Sequence, residues 1–387
     1  VDKLAAPWER YLERWRTAGL IEPSTAERVR AYEAEQEKTQ GLRWPVVLAI
    51  SLGGLLLGAG VLLFVAAHWD TLSPGERFAL VLLLVALFHV AGAFTAERFS
   101  VLSTTLHAVG TICLGAGIFL AGQIFNLQEH WPGGLLLWAL GAWVAYALLR
   151  NWPQAALAAL LTPMWLGGEW LVATDGWIRR DKILAEGLLL LAITYLTALL
   201  PEKETPVRKA LAWIGALALI PSVLFVIVSG THSDWRQFSP SGISRELGWI
   251  AALSLPLALA WVLRRGASWM NLVAALWVVG LGTTSLSSQP NESLLRYVWR
   301  ELGPYGMCAL GSIGLIAWGL NEARKERINL GVAGFALTVL FFYFSNVMDK
   351  LGRSASLIGL GLLFLLGGWL LERTRRQLVA RLEKKNS

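Results

Sequence analysis

The chain has 387 residues, of which 55% are hydrophobic and only 16% charged, against about 25% charged in an ordinary soluble domain. So little charge cannot cover a globular surface in water. The excess of 34 Lys and Arg over 27 Asp and Glu therefore does not read as nucleic-acid binding; in such a chain it orients helices across a bilayer. Cys113 and Cys308 both lie inside apolar runs, which excludes a disulfide framework and any CxxC metal or redox motif.

Residues 1–43 are charged and amphipathic and lack the short apolar core of a secretory leader, so no cleaved segment is expected. Trp8, Leu12 and Trp15 fall on one helical face. After Gly19-Leu20-Ile21, the run Ser24-Thr25-Ala26-Glu27 matches a capping box that would open a second helix with Val29 and Tyr32 turned inward. The expectation is a small cytoplasmic helical hairpin whose helices lean on the membrane, on each other, or on a partner in a larger membrane complex.

From Trp44 to Leu371 the apolar runs reach the length a helix needs to cross about 30 Å of hydrocarbon. Twelve candidate spans follow: 44–68, 77–95, 101–125, 132–149, 154–174, 183–200, 207–229, 246–263, 268–287, 303–320, 326–346 and 354–371. The fold class expected is all-α, a polytopic helical membrane protein with the N-terminal hairpin at 1–43, the transmembrane domain at 44–372 and a basic tail at 373–387. With the N-terminus inside, Lys and Arg divide 24 to 10 in favour of the inner side, the two termini supplying 8 and 6 of the 24. The expectation is that both termini lie on the cytoplasmic side of the membrane. Arg373, Arg375, Arg376, Arg381, Lys384 and Lys385 would meet anionic headgroups there.

Leu57-Gly58-Ala59-Gly60-Val61 recurs as Leu114-Gly115-Ala116-Gly117-Ile118, each inside a Gly-rich span that ends in a polar rim with Trp and Pro. Spans 1 and 2 and spans 3 and 4 thus read as tandem copies of one hairpin, inserted the same way round. Spans 11 and 12 suggest a weaker third copy.

The residues Trp15, Gly19-Leu20-Ile21 and Ala26-Glu27-Arg28-Val29-Arg30-Ala31-Tyr32, followed by a Gly-rich span ending Ala66-Ala67-His68-Trp69-Asp70-Thr71-Leu72-Ser73-Pro74, resemble a known family. It is the bacterial predicted-membrane-protein family catalogued as domain of unknown function twenty-one fifty-seven. The resemblance is clearest over the first 150 residues or so, and it implies a membrane protein with no assigned activity, substrate or cofactor. Where some members are expected to keep Asn before the Trp-Asp pair, this chain has His68.

Candidate site residues gather at the outer rim. His68 and Asp70 end span 1, Glu129 and His130 follow span 3, Glu169 lies just inside the outer end of span 5, and Glu186 just inside the start of span 6. Ionisable groups within hydrocarbon are costly, so Glu169 and Glu186 need a partner, a proton or a water-filled vestibule. The rim group could also take a divalent ion, although no HxxxH or HExxH spacing supports one and no metal is expected. The plainer reading has Asp70 and Ser73 capping the turn before span 2.

His89 and His107 each lie about 9 Å from the same membrane edge at 1.5 Å per residue. Adjacent helices offering one imidazole each is how a membrane b-type haem is held. Alternatively each imidazole bonds a backbone carbonyl or Ser103, Thr104 or Thr105 across the interface. No cofactor is otherwise expected.

The outer segment 230–246 and the run Ser293–Arg300 are amphipathic, the second reading as a short interfacial helix. The 20 tryptophans read chiefly as interfacial belts, and Asn271 and Thr284 as interhelical glue. Pro163, Pro221 and Pro256 are candidate helix breaks. Three functions stay open: transport or handling of a lipid or small molecule, a non-catalytic subunit or scaffold, and a membrane-embedded transferase using a lipid-linked substrate, with an enzyme the less favoured.

Overall fold

In a computed structural model the described residues are 7–40, 73–124, 130–174, 182–200, 204–229, 243–284 and 293–346, with isolated helical positions between 49 and 63 and between 361 and 369. Their secondary structure is helices joined by turns, with no β-strand among them. The chain divides into two compact units, Val1–Arg77 with Leu83–Gly110, and Phe78–Leu82 with Thr111–Ser387.

The first unit opens with the expected hairpin of α1 (Pro7–Thr17) and α2 (Pro23–Gln40). Gly19, at φ 70°, ends α1: Leu20 N–H donates to Trp15 O and Gly19 N–H to Arg16 O, the pairing of a Schellman motif, which favours glycine at its left-handed position. The inward face differs from the expectation. Leu12 and Ala26 are buried, whereas Trp15, Val29 and Tyr32 are exposed, because two helices this short enclose only a thin seam. Helix α2 starts at Pro23, whose ring suits the first helical position, ahead of the capping box expected at Ser24.

Helix α3 (Pro74–Thr95) opens on a capping box one residue earlier. Glu76 N–H donates to Ser73 Oγ at 3.4 Å, and Ser73 N–H donates to Glu76 Oε2 at 2.7 Å. The capping expected of Ser73 is therefore present. Helix α4 (Ser100–Ile124) follows after four residues.

In the second unit, the later part of α4 meets α5 (Trp131–Leu149) through glycines. A Cβ on Gly115 would lie 2.1 Å from Trp138, and Trp138 Nε1–H donates to Thr111 O at 2.9 Å. Helix α5 turns into α6 (Trp152–Ala173) at Arg150, φ 53°, and Asn151 caps α6. These two helices pack through Leu135, Ala139, Ala142, Ala158 and Leu161, the small residues letting the backbones approach.

Helix α7 (Lys182–Leu196) is the centre of this unit: ten of its fifteen residues are buried. Around it lie α8 (Pro206–Ser229), α9 (Ile243–Arg264) and α10 (Trp269–Thr284), with Leu189, Leu190, Ile193, Val226, Ala274, Ala275, Val278 and Leu281 in one apolar cluster. Its closest neighbour is α8, where a Cβ on Gly215 would sit 2.2 Å from Leu196 N and 2.4 Å from Ala192 O. A 3₁₀ turn, Arg265–Ser268, reverses the chain between α9 and α10.

Helix α11 (Leu294–Asn321) runs 28 residues from its Ser293 cap. The interfacial helix expected at Ser293–Arg300 is therefore the first turns of a longer helix, about 42 Å in all. Helix α12 (Lys325–Asn346) folds back against α11.

Ten of the twelve expected spans coincide with helices. The other two, 44–68 and 354–371, fall almost wholly outside the described residues, so the first half of the first hairpin copy and the second half of the third do too. Among the described residues eight stretches are long and apolar enough to cross a membrane, the 40 residues of Arg245–Thr284 counting as one. Helix α7 is too short to be among them, about 22 Å, and the described residues do not confirm the count of twelve. Nor do the prolines break their helices: α6, α8 and α9 continue through Pro163, Pro221 and Pro256.

Candidate functional site

Of the outer-rim residues, His68, Asp70 and Glu129 lie outside the described residues. The structure brings His130 and Glu169 together. His130 precedes α5, Glu169 lies near the end of α6, and the antiparallel α5–α6 packing sets His130 Nε2 at 2.6 Å from Glu169 Oε2. Trp165, one turn earlier on α6, donates its indole N–H to Glu169 Oε1 at 2.8 Å. Both carboxylate oxygens are thereby held. The pair is open to solvent, with side-chain exposures of 52% for His130 and 32% for Glu169.

Glu186 is in a different situation. It occupies the second turn of α7 and is 1% exposed. Lys182, one turn back on the same helix, approaches Oε1 to 3.7 Å, and neither carboxylate oxygen has a hydrogen-bond partner. The opposing residue on α10 is Gly282, where a Cβ would fall 1.8 Å from Oε1. Only glycine leaves room for this carboxylate. Glu169 is held by His130 at the start of α5, whereas Glu186 lies against Gly282 of α10, so the two acids take different neighbours. Among the described residues no group of three or more His, Cys, Asp or Glu side chains is placed to hold a metal ion.

His89 on α3 and His107 on α4, both in the first unit, bond each other, Nδ1 to Nδ1 at 3.0 Å, with ring centroids 5.3 Å apart. Each ring lies on a glycine of the facing helix, His89 against Gly110 and His107 against Gly92. Thr105, expected as an acceptor across the interface, instead donates to Val101 O in its own helix at 2.9 Å.

A further polar cluster, one that the sequence reading missed, lies at the C-terminal end of α7. The helix ends at Leu196, leaving the carbonyls of Thr197, Ala198 and Leu199 without helical partners. Arginines from three other elements supply them. Arg264 Nη1 donates to Thr197 O, Arg208 Nη1 to Ala198 O at 2.6 Å, and Arg327 Nη2 to Leu199 O at 2.8 Å. Asn271 donates to Thr197 Oγ1 at 3.2 Å, so its expected role as glue between helices is seen directly.

Glu322, just past the end of α11, holds two of these arginines. Its Oε1 accepts from Arg264 Nη2, its Oε2 accepts from Arg327 Nη1 at 2.5 Å, and Trp318 Nε1–H donates to Oε1 at 2.6 Å. Burial works against ionisation of Glu322, but the bonds from Arg264 and Arg327 outweigh it and hold its carboxyl below the usual range. At the edge, Arg324 donates to Glu204 Oε1 at 2.6 Å and Lys209 lies 3.3 Å from Oε2. The Arg324 bond, followed by Lys209, lowers the Glu204 pKa.

The sequence signal for this cluster was a set of charges flanking spans: Arg264-Arg265, then Glu322, Arg324 and Arg327. Flanking arginines serve topology equally well, and nothing in their spacing says that they meet. Tryptophans likewise do more than form belts. Trp138, Trp143, Trp165, Trp277 and Trp318 each donate a hydrogen bond within the helical packing.

Residues 13–155 match the model of a family described as predicted membrane protein (DUF2157). The resemblance read between Trp15 and Pro74 is thus shown for that part of the chain. Neither a curated protein nor a solved structure matches the chain.

Proposed function

We propose that this membrane protein moves a small solute across a bacterial inner membrane, coupled to protons, with both termini in the cytoplasm and α7 as the working element. One observation carries the reading: Glu186, 1% exposed, keeps a carboxylate in the packed centre with a lysine at 3.7 Å and no hydrogen-bond partner. Ionisable groups inside a membrane bundle are expensive and mark ion or substrate paths. A carboxyl in this setting changes charge when its surroundings open, and the sealed geometry corresponds to an occluded state.

The test uses the full chain in liposomes loaded with pyranine, a pH-sensitive dye, under an imposed potassium diffusion potential. Protein-containing liposomes should acidify faster than empty ones, and Glu186→Gln should abolish the difference. Equal proton movement in protein-containing and empty liposomes would sink the reading. So would a Glu186→Gln variant as active as the parent.

A second reading, a subunit or scaffold of a membrane complex, draws support from the exposed apolar side chains of the α1–α2 hairpin, Leu20 at 73% and Tyr32 at 62%. Co-purification of one stoichiometric partner, lost on Tyr32→Glu with Leu20→Glu, would favour it over transport.

A further inference from the structure

The arginine cluster at the end of α7 contains more donors than its own acceptors use. Among the described residues, five cations (Arg208, Lys209, Arg264, Arg324, Arg327) meet two carboxylates (Glu204, Glu322), a surplus of three positive charges. Capping the carbonyls of residues 197–199 accounts for Arg208, Arg264 and Arg327. It does not account for Arg324, which bonds none of those carbonyls.

Arg324 is 8% exposed. Its Nη1 is taken by Glu204, while Nε and Nη2 have no acceptor. Those two N–H groups lie along the same edge of the planar guanidinium. Together they form the fork that grips two oxygens of a carboxylate or phosphate side by side. Folded proteins rarely leave buried charged donors without an acceptor; here a whole fork is left.

The position suits a ligand that arrives from the headgroup layer. Arg324 sits in the turn between α11 and α12, both long and apolar enough to span, at the boundary where chain leaves hydrocarbon. Its neighbours Ala323 and Lys325 are exposed, and the Glu204 side chain that takes Nη1 is 42% exposed, so the guanidinium lies just beneath the surface. The turn is itself held in place. Ala323 takes a left-handed φ of 53°, Arg324 N–H donates to Gly319 O at 2.7 Å, and a Cβ on Gly319 would lie 3.0 Å from Arg324 O.

We propose that this end of α7 is a phosphate site, in which Arg324 Nε and Nη2 bind two oxygens of a phosphate group and the surplus charge of Arg264, Arg327 and Lys209 supports it. The phosphate belongs either to an anionic phospholipid or to a soluble phosphate compound. The site stands apart from Glu186, eleven residues and roughly 16 Å along α7.

The experiment is thermal unfolding of the full chain in neutral detergent, with inorganic phosphate against chloride of equal ionic strength, and separately with added phosphatidylglycerol against phosphatidylcholine. Binding should raise the melting temperature by roughly 2–4 °C once ligand stands well above its dissociation constant. A response to inorganic phosphate identifies a free phosphate group as sufficient. A response to phosphatidylglycerol alone identifies a lipid headgroup.

Arg324→Lys keeps the charge and removes the fork, so it should melt near the parent in chloride and lose the response, whereas Arg265→Gln, at an exposed neighbour of Arg264, should keep it. No response to either probe, or an equal response in Arg324→Lys, would overturn the site. If Arg324→Lys does not fold, Glu204→Gln decides: removing the adjacent negative charge should strengthen the response, and an unchanged or weaker one overturns the proposal.

Discussion

Arg264 and Glu322, 58 positions apart in sequence, are joined by a charge-assisted hydrogen bond with side-chain exposures of 0% and 10%. Arg327 bonds the other oxygen of the same carboxylate, and both guanidinium groups lie over the Trp318 ring, at 5.2 and 5.7 Å. Removing the carboxylate leaves two buried arginines beside each other. Breaking a buried pair from one side costs about 3–5 kcal/mol, so Glu322→Gln should lower stability by that order in a detergent melt. Glu13→Gln, which breaks the exposed Arg16–Glu13 pair, should cost about 0–1 kcal/mol. Equal, small effects of the two substitutions would mean that the arginines hold the helix end without Glu322.

The same residue sets an acid limit. Its carboxyl is held below the usual range in the folded chain, so the unfolded chain takes up a proton more readily. The contribution to stability is complete above the unfolded value of about 4.3 and is lost as the pH falls through the lower folded value. Glu204 acts in the same direction through Arg324 and Lys209, more weakly because its side chain is 42% exposed. The difference in melting temperature between the parent and Glu322→Gln should therefore be nearly constant from pH 7 to about 5 and shrink below about 4.3. Glu322→Gln, already low at pH 7, should lose less on acidification; parallel curves would refute the assignment.

Hydropathy made most of the fold legible, because a helix that crosses hydrocarbon must be apolar for its whole length, and that signal is local. The boundary at Ser73 was readable for a similar reason, since capping residues act within four positions. What stayed hidden depends on which helices touch. Arg264, Glu322 and Arg327 look like three loop charges until α9, α11 and α12 converge on the end of α7. Glu186 and Gly282 look like an isolated acid and an ordinary glycine until α7 meets α10. His89 and His107 lay between these cases: their shared depth followed from helix rise, but rotation of each helix about its axis decided that the rings face each other. The hairpin erred for a physical reason too. Amphipathic spacing tells which side chains share a face, and with only two short helices most of that face has nothing to cover it.

Glycines supply the next prediction, because the structure separates those that packing requires from those that it does not. At Gly215 an added methyl would meet backbone atoms of α7, Leu196 N and Ala192 O, within 2.4 Å. Backbone in a central helix cannot swing aside as a side chain can. Gly215→Ala should therefore cost about 1–3 kcal/mol or more through overpacking, and force α8 away from α7. Gly306 and Gly314 on α11 have nothing within 4 Å of the added atom. Alanine there should be neutral or stabilising by about 0.5–1 kcal/mol, from helix propensity alone. Comparing the three melts in one detergent checks the contrast, and a Gly215→Ala protein as stable as Gly306→Ala would show that α7 and α8 do not approach this closely.

The histidine pair carries the last prediction. In His89 Nδ1···His107 Nδ1 at 3.0 Å, one ring donates and the other accepts, so the bond needs at least one neutral imidazole. Two histidines ligating one haem iron from opposite faces would each need a metal–nitrogen bond of roughly 2 Å, holding their nitrogens about 4 Å apart with the porphyrin between them. Here the rings touch, and each is backed by a glycine, Gly110 or Gly92, within 3 Å of an added Cβ. The purified protein should accordingly show no Soret absorbance, and His89→Ala or His107→Ala should leave the spectrum unchanged. The pair should still register in stability. A double-mutant cycle should return a coupling of about 0.5–1.5 kcal/mol, the net value of one hydrogen bond between neighbours. A Soret band that disappears in either single variant would show that the two helices part to hold a haem; a coupling of zero without such a band would show that the rings do not bond in the folded protein.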